Sequence, residues 1–288
     1  MNNDWGYLMS AAPRRLAAAA LGVAALAFGV AACGSDDSDN EAAKPVKPRA
    51  QPEEAMPKID TGATLSVRAP QAGTVVKGDT VDAQVQLDSF KVDCRFAGTA
   101  NREGIGHYHV ELDGKLINMY CGDSAEVSLR NVPPGEHELE VVPAANDHTD
   151  DLDELKKVGF TYEPTQAPKP LEAVANPGTP GIKVVAPKPG ATVSREFDLV
   201  VKPTNFRFSC DLYGKDNLAG WGHWHANVDA TDKGMMGMGT MLGMSCSKRF
   251  RVSLAGIEPG KHTFFAILED NQHAPTPKAQ DSVELDVE

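Results

Sequence analysis

The chain carries the same domain twice, which restricts it to folds that close within about 100 residues. Gly104-Ile105-Gly106-His107-Tyr108-His109 returns as Gly220-Trp221-Gly222-His223-Trp224-His225. Pro134-Gly135-Glu136-His137 returns as Pro259-Gly260-Lys261-His262, and Asn146-Asp147-His148 as Asn271-Gln272-His273. All eight histidines are thereby matched. The spacing from Cys94 to His107 equals that from Cys210 to His223, and Met119-Tyr120-Cys121 matches Met244-Ser245-Cys246. The rest of the two copies has drifted, so these shared residues mark what the domain needs.

Between the shared motifs, Gly (26) and Pro (20) punctuate short β-branched runs, and helical periodicity is hard to find. That pattern predicts an all-β fold of two tandem β-sandwich domains, over 63–163 and 182–288. Residues 164–181 hold five prolines and read as a stiff linker. Val127-Ser128-Leu129 and Val252-Ser253-Leu254 each lead through a Pro-Gly turn into a His-initiated strand. This resembles the end of many bacterial immunoglobulin-like domains, and the resemblance covers both copies, which implies two tandem immunoglobulin-like β-sandwich domains. The Gly-His-x-His strand is similar to that of some small exported bacterial domains.

The N-terminus points to export. Arg14 and Arg15 precede an apolar, Ala-rich run ending in Val30-Ala31-Ala32-Cys33. Residues 1–32 look like a bacterial lipoprotein signal peptide, which implies that Cys33 is lipidated and tethers the chain to the cell membrane. The alternative is an ordinary signal peptide with a chance cysteine. Residues 33–62 are polar and Pro/Lys-rich, and read as a disordered tether. A net charge of −12 argues against a nucleic-acid partner and against a basic membrane-binding face. No protein partner is legible. Of the remaining cysteines, Cys94 and Cys121 fall in one copy and Cys210 and Cys246 in the other. In an exported chain they suggest one disulfide per domain, with thiolate metal ligation as the competing reading.

In a strand, His107 and His109 share one face while Tyr108, Val110 and Leu112 share the other. His223 and His225 repeat this opposite Trp224, Ala226 and Val228. The histidines are therefore expected off the sandwich core, on an exposed or loop-covered face. A His-x-His pair supplies two imidazoles to one metal, and His148 and His273 are the natural third ligands. Copper or zinc would be the ion. Met119 and Met244, with Met235, Met236, Met238 and Met241 of a Gly-rich insertion, are possible soft-metal ligands. The insertion is similar in chemistry to Met-rich loops of periplasmic copper-resistance carriers. The competing readings are a hydrogen-bond network with Asp113 or Asn146 as partner, and a flexible apolar tip for the Met loop. His137 and His262 read as structural. Gly-x-His-x-His also resembles copper/zinc superoxide dismutases, but the further histidines of a two-metal site are missing. There is no nucleophile elbow, His-Glu-x-x-His or phosphate loop, so no enzyme is expected. Two functions remain: an extracytoplasmic metal-binding lipoprotein, or a structural or adhesive module of the envelope.

Overall fold

The computed structural model describes residues 59–233 and 235–288. The signal peptide, most of the tether and the Cys33 lipidation site lie outside the described residues, as do the side chains of Met235 and Met236.

The first domain has nine strands: β1 (Thr64–Ala69), β2 (Thr74–Val76), β3 (Thr80–Asp88), β4 (Lys91–Val92), β5 (Ile105–Leu112), β6 (Lys115–Tyr120), β7 (Ser124–Ser128), β8 (Gly135–Ala144) and β9 (Lys156–Tyr162). β1, β3 and β7 form one sheet; the other runs β2-β9-β8-β5-β4, with β6 also paired to β5. The second domain repeats this with β10 (Gly181–Ala186), β11 (Thr192–Val193), β12 (Glu196–Thr204), β13 (Arg207–Phe208), β14 (Trp221–Val228), β15 (Met241–Ser245), β16 (Arg249–Ser253), β17 (Gly260–Glu269) and β18 (Pro275–Val287). Its sheets are β10-β12-β16 and β11-β18-β17-β14-β13, with β15 on β14. Both domains are immunoglobulin-like β-sandwiches.

The period-two alternation sets the cores. Tyr108, Val110 and Leu112 of β5 pack with Leu139 and Val141 of β8, Phe160 of β9, and Val81 and Val127 of the facing sheet. Trp224, Ala226 and Val228 of β14 do the same with Phe264, Leu199 and Val252. Disulfides Cys94–Cys121 and Cys210–Cys246 close loops of 27 and 36 residues. In the chain-entropy account each stabilises its domain by about 3–4 kcal/mol.

The middle of the linker is fastened to both domains. Asn131 exchanges two hydrogen bonds with the backbone of Leu171. Trp221 donates its indole N–H to Glu172 O, and Val174 N–H donates to Ala219 O. The two sandwiches also touch directly. Tyr213, Met244 and Cys246 of the second pack against the core cluster of the first.

Candidate metal centre

β5 is the central strand that positions the first site. It is flanked by β8 on one edge and by β6 and β4 on the other, so its backbone is held along its length. The motif glycine has a steric reason: a Cβ on Gly106 would run into the carbonyl of Ala144 and the ring of Phe90. Gly222 meets Glu269 and Phe206 in the same way. The strand therefore sits tight against its neighbour where His107 begins.

His107 and His109 project away from the sandwich core, as the alternation requires, but they are not exposed. His107, His109, His148, His223, His225 and His273 are all buried, at 0–6% exposure. Of the two alternatives expected, an exposed face is corrected and a loop-covered one is what the burial fits. Each face is covered by its own Asn-x-His loop and by contact with the other domain.

The loop brings the third ring in. His148 adopts a left-handed backbone, φ 63°, and His273 matches it at 62°. Few residues besides Gly take up that conformation without a local reason. Here it closes a turn in which His148 N–H donates to Ala145 O and His273 N–H to Asp270 O. The turn aims each ring at the strand pair.

The nitrogens converge. His107 Nε2 lies 3.1 Å from His109 Nε2 and 3.0 Å from His148 Nδ1, and the last two are 3.3 Å apart. In the second domain His223 Nε2 lies 3.0 Å from both His225 Nε2 and His273 Nδ1, which are 3.3 Å apart. Each triangle puts its corners roughly 1.8 Å from the centre. Three imidazole nitrogens at this spacing are close enough to be shared by one ion with bonds of about 2.0–2.1 Å.

Outer partners fix the rings. His148 Nε2–H donates to Met241 O at 2.7 Å, and His109 Nδ1–H donates to Asp150 Oδ1 at 2.7 Å. The inward nitrogens, His148 Nδ1 and His109 Nε2, then face each other with lone pairs. A proton can bridge only one pair of the triangle, whereas a metal ion would be held by all three rings. In the second domain His273 Nε2–H donates to Leu116 O at 2.9 Å. His225 Nδ1 is 3.8 Å from Glu269 Oε1, beyond hydrogen-bond length. His107 Nδ1 and His223 Nδ1 are buried without a partner.

Burial disfavours the charged form of five of these rings. It lowers His148 to about 3 and His273 to about 4, and holds His107, His223 and His225 well below their ordinary value, with neighbouring imidazoles adding to the effect. Neutral imidazole is the form that binds metal. Burial also raises the Glu269 carboxyl to about 9, with Asp270 contributing.

Other expected residues fall elsewhere. Met119 and Met244 are directly across the strand pairs from His109 and His225, but they line a separate cavity of about 360 Å³ beside the Cys94–Cys121 disulfide. Met238 and Met241 are buried, which removes the flexible tip as a description of that part of the loop. Met241 contributes its backbone carbonyl to His148. Asp113 is not a partner of the His-x-His pair: it accepts from His137 at 2.8 Å. His137 Nε2 also bonds Pro133 O, and His262 repeats both contacts with Asp229 and Glu258, so this histidine pair ties a turn to a strand. Asn146 sends its side-chain amide to Ala100 O. Sequence reasoning missed Asp150, Glu269 and the carbonyls of Leu116 and Met241. A carbonyl leaves no trace in a sequence, and the carboxylates occupy different positions in the two copies.

No protein-family model matches the chain, and no curated protein does. Among solved structures, fibronectin(III)-like modules of Clostridium thermocellum CbhA are 13% identical, covering 78% of this chain and 94% of that one, with a TM-score of 0.25. The FN1–FN3 domains of chicken CNTN1 are 10% identical over 81% of this chain and 69% of that one, TM-score 0.23. A tetra-tandem repeat from the extending region of a large adhesion protein is 13% identical over 78% and 49%, TM-score 0.22. Scores this low carry no argument about activity or ligand, and the architecture rests on the strands themselves.

Proposed function

We propose that the chain is an extracytoplasmic, membrane-anchored protein that binds one late transition-metal ion in each domain, through His107, His109 and His148 and through His223, His225 and His273. The observation that carries this is the convergent geometry: three ring nitrogens within 3.3 Å, with outer hydrogen bonds that leave His109 Nε2 and His148 Nδ1 pointing inward. A purely imidazole donor set suits copper and zinc and disfavours magnesium and calcium. Copper precedes zinc in intrinsic affinity. The Cys33 signal reading and the two disulfides support a location outside the cytoplasm.

The competing reading is an envelope module in which the histidines only brace loops. It draws on the bonds from His148 and His273 to carbonyls of the opposite domain. Elemental analysis of the full chain, purified without a polyhistidine tag, separates the two. Binding predicts two ions per chain, falling to one in His107→Ala and one in His223→Ala. Absorption spectroscopy at the metal edge should show three nitrogen neighbours at about 2.0 Å. A wild-type chain with no stoichiometric metal, even after incubation with copper and zinc, would leave the envelope module as the answer.

A further inference from the structure

The outer shell of each triad comes partly from the other domain, and it does so symmetrically. His148 of the first domain is held by the carbonyl of Met241 on β15, and His273 of the second by the carbonyl of Leu116 on β6. β6 and β15 are equivalent strands, each paired to the strand that carries the His-x-His.

A glycine in each domain approaches the same carbonyl. A Cβ on Gly98 would stand 2.7 Å from both C and O of Met241; one on Gly214 would stand 2.7 Å from Leu116 O. Both glycines have positive φ, 74° and 66°. Gly98 N–H donates to Asn146 O and Gly214 N–H to Asn271 O, which ties each to the Asn-x-His loop behind it. Each loop and its glycine therefore grip one backbone carbonyl of the neighbouring domain. Every ring that would hold an ion is buried in this arrangement, and His148 and His273 bond the opposite domain directly.

We infer that the two sites are coupled through this reciprocal docking: an ion in one site favours the docked arrangement that completes the other, and neither ion exchanges while the domains are docked. This rests on the metal reading above. An ion fixes His148, His148 fixes Met241, and the docked β15 lies beside the strand that bears His225. The same sequence runs back from His273 through Leu116 to the strand that bears His109. Linkage requires the effect to be equal in both directions.

A binding cycle on the full chain tests it, with Cu(I) and Zn(II) each titrated against a competing chelator. His223→Ala reports the first site alone, His107→Ala the second alone, and the wild type the overall two-ion constant. Coupling predicts a wild-type constant at least about fivefold above the product of the two single-site constants, within the usual range for coupled sites. A product equal to the wild-type constant within twofold overturns the coupling and leaves both metal sites standing. Absence of any bound metal overturns both. Gly98→Val supplies a second arm that spares all six ligands. It should speed ion release to a chelator from both sites by tenfold or more, with circular dichroism showing folded β-sandwiches. Faster release from the first site alone would overturn the proposal.

Discussion

In the first domain the nitrogen behind His109 meets Asp150, two residues beyond the loop histidine. In the second, the position equivalent to Asp150 is Pro275, and the group near His225 is Glu269. The strand registers make the exchange explicit. His107 pairs with Ala144, which bridges to Asp150; His223 pairs with Glu269, which pairs with Pro275. One copy has Ala and Asp at these two places, the other Glu and Pro. An acidic side chain lies near the equivalent ring in both copies: Asp150 bonds His109, while Glu269 stands 3.8 Å from His225 with its carboxyl raised by burial. A carboxylate behind a metal-bound imidazole fixes the tautomer and raises ligand basicity. A histidine cluster that merely filled space would have no such requirement. The difference between the domains thus separates what is shared, what is exchanged and what belongs to one copy alone.

The shared part gives the largest expected effect. In metal-free protein, burial depresses His148 to about 3 and His273 to about 4, while an unfolded histidine titrates near 6.5. Below 6.5 the unfolded chain takes up protons that these folded rings refuse. The stabilisation is therefore present above 6.5 and lost as pH falls toward 3–4. Between pH 6.5 and 5 each such histidine removes about 2 kcal/mol. Thermal melts of chelated protein should fall steeply over that window. Double replacement His148→Phe and His273→Phe should flatten the slope. A wild-type melting temperature unchanged from pH 7 to 5 would show that the triads do not stay neutral on folding.

The exchanged part comes next. Asp150→Asn should weaken the first site by about 10–100-fold, the usual cost of losing an outer carboxylate. Glu269→Gln should cost the second site less, because 3.8 Å is already too long for a hydrogen bond in the metal-free protein. Moving the carboxylate is the sharper trial. In an Asp150→Ala background, Ala144→Glu copies the second domain's arrangement and should recover part of the lost affinity. No recovery, with the fold intact, would reduce the exchange to unrelated drift.

The same residues show why part of the site was legible and part was not. The repeat placed the six histidines in two groups, because strand alternation and the Asn-x-His match are local facts of sequence. The sandwich cores followed from the same period, as Tyr108, Val110 and Trp224, Ala226 show. Asp150 and Glu269 were hidden because neither matches its counterpart position, and only strand register shows that they replace one another. The burial of the histidines was also hidden. It depends on β6 and β15 meeting the opposite domain, and the groups that reach His148 and His273 there are backbone carbonyls, which no side-chain pattern announces.

The part present in one copy alone gives the smallest effect. Lys215 follows Gly214 as Thr99 follows Gly98, so a lysine stands where the first domain has a threonine. Lys215 is buried, its Nζ has no hydrogen-bond partner, and burial lowers its ammonium to about 8. Asp113 and Asp211 pull it back upward and Lys115 pushes it further down. A buried ammonium without a partner is destabilising. Its folded value lies below the ordinary 10.5, so the cost is in full force below about 8 and fades as pH rises from 8 toward 10.5. Lys215→Met keeps the alkyl stem and removes the charge. It should stabilise the protein by about 1–2 kcal/mol at pH 7, a rise of a few degrees in melting temperature. The advantage should shrink by pH 10, where the wild-type amine is neutral. A variant less stable than wild type at pH 7 would mean that Lys215 has a favourable role in the interdomain contact. The second domain would then carry a docking group that the first lacks, and the two grips on Met241 and Leu116 would differ in strength.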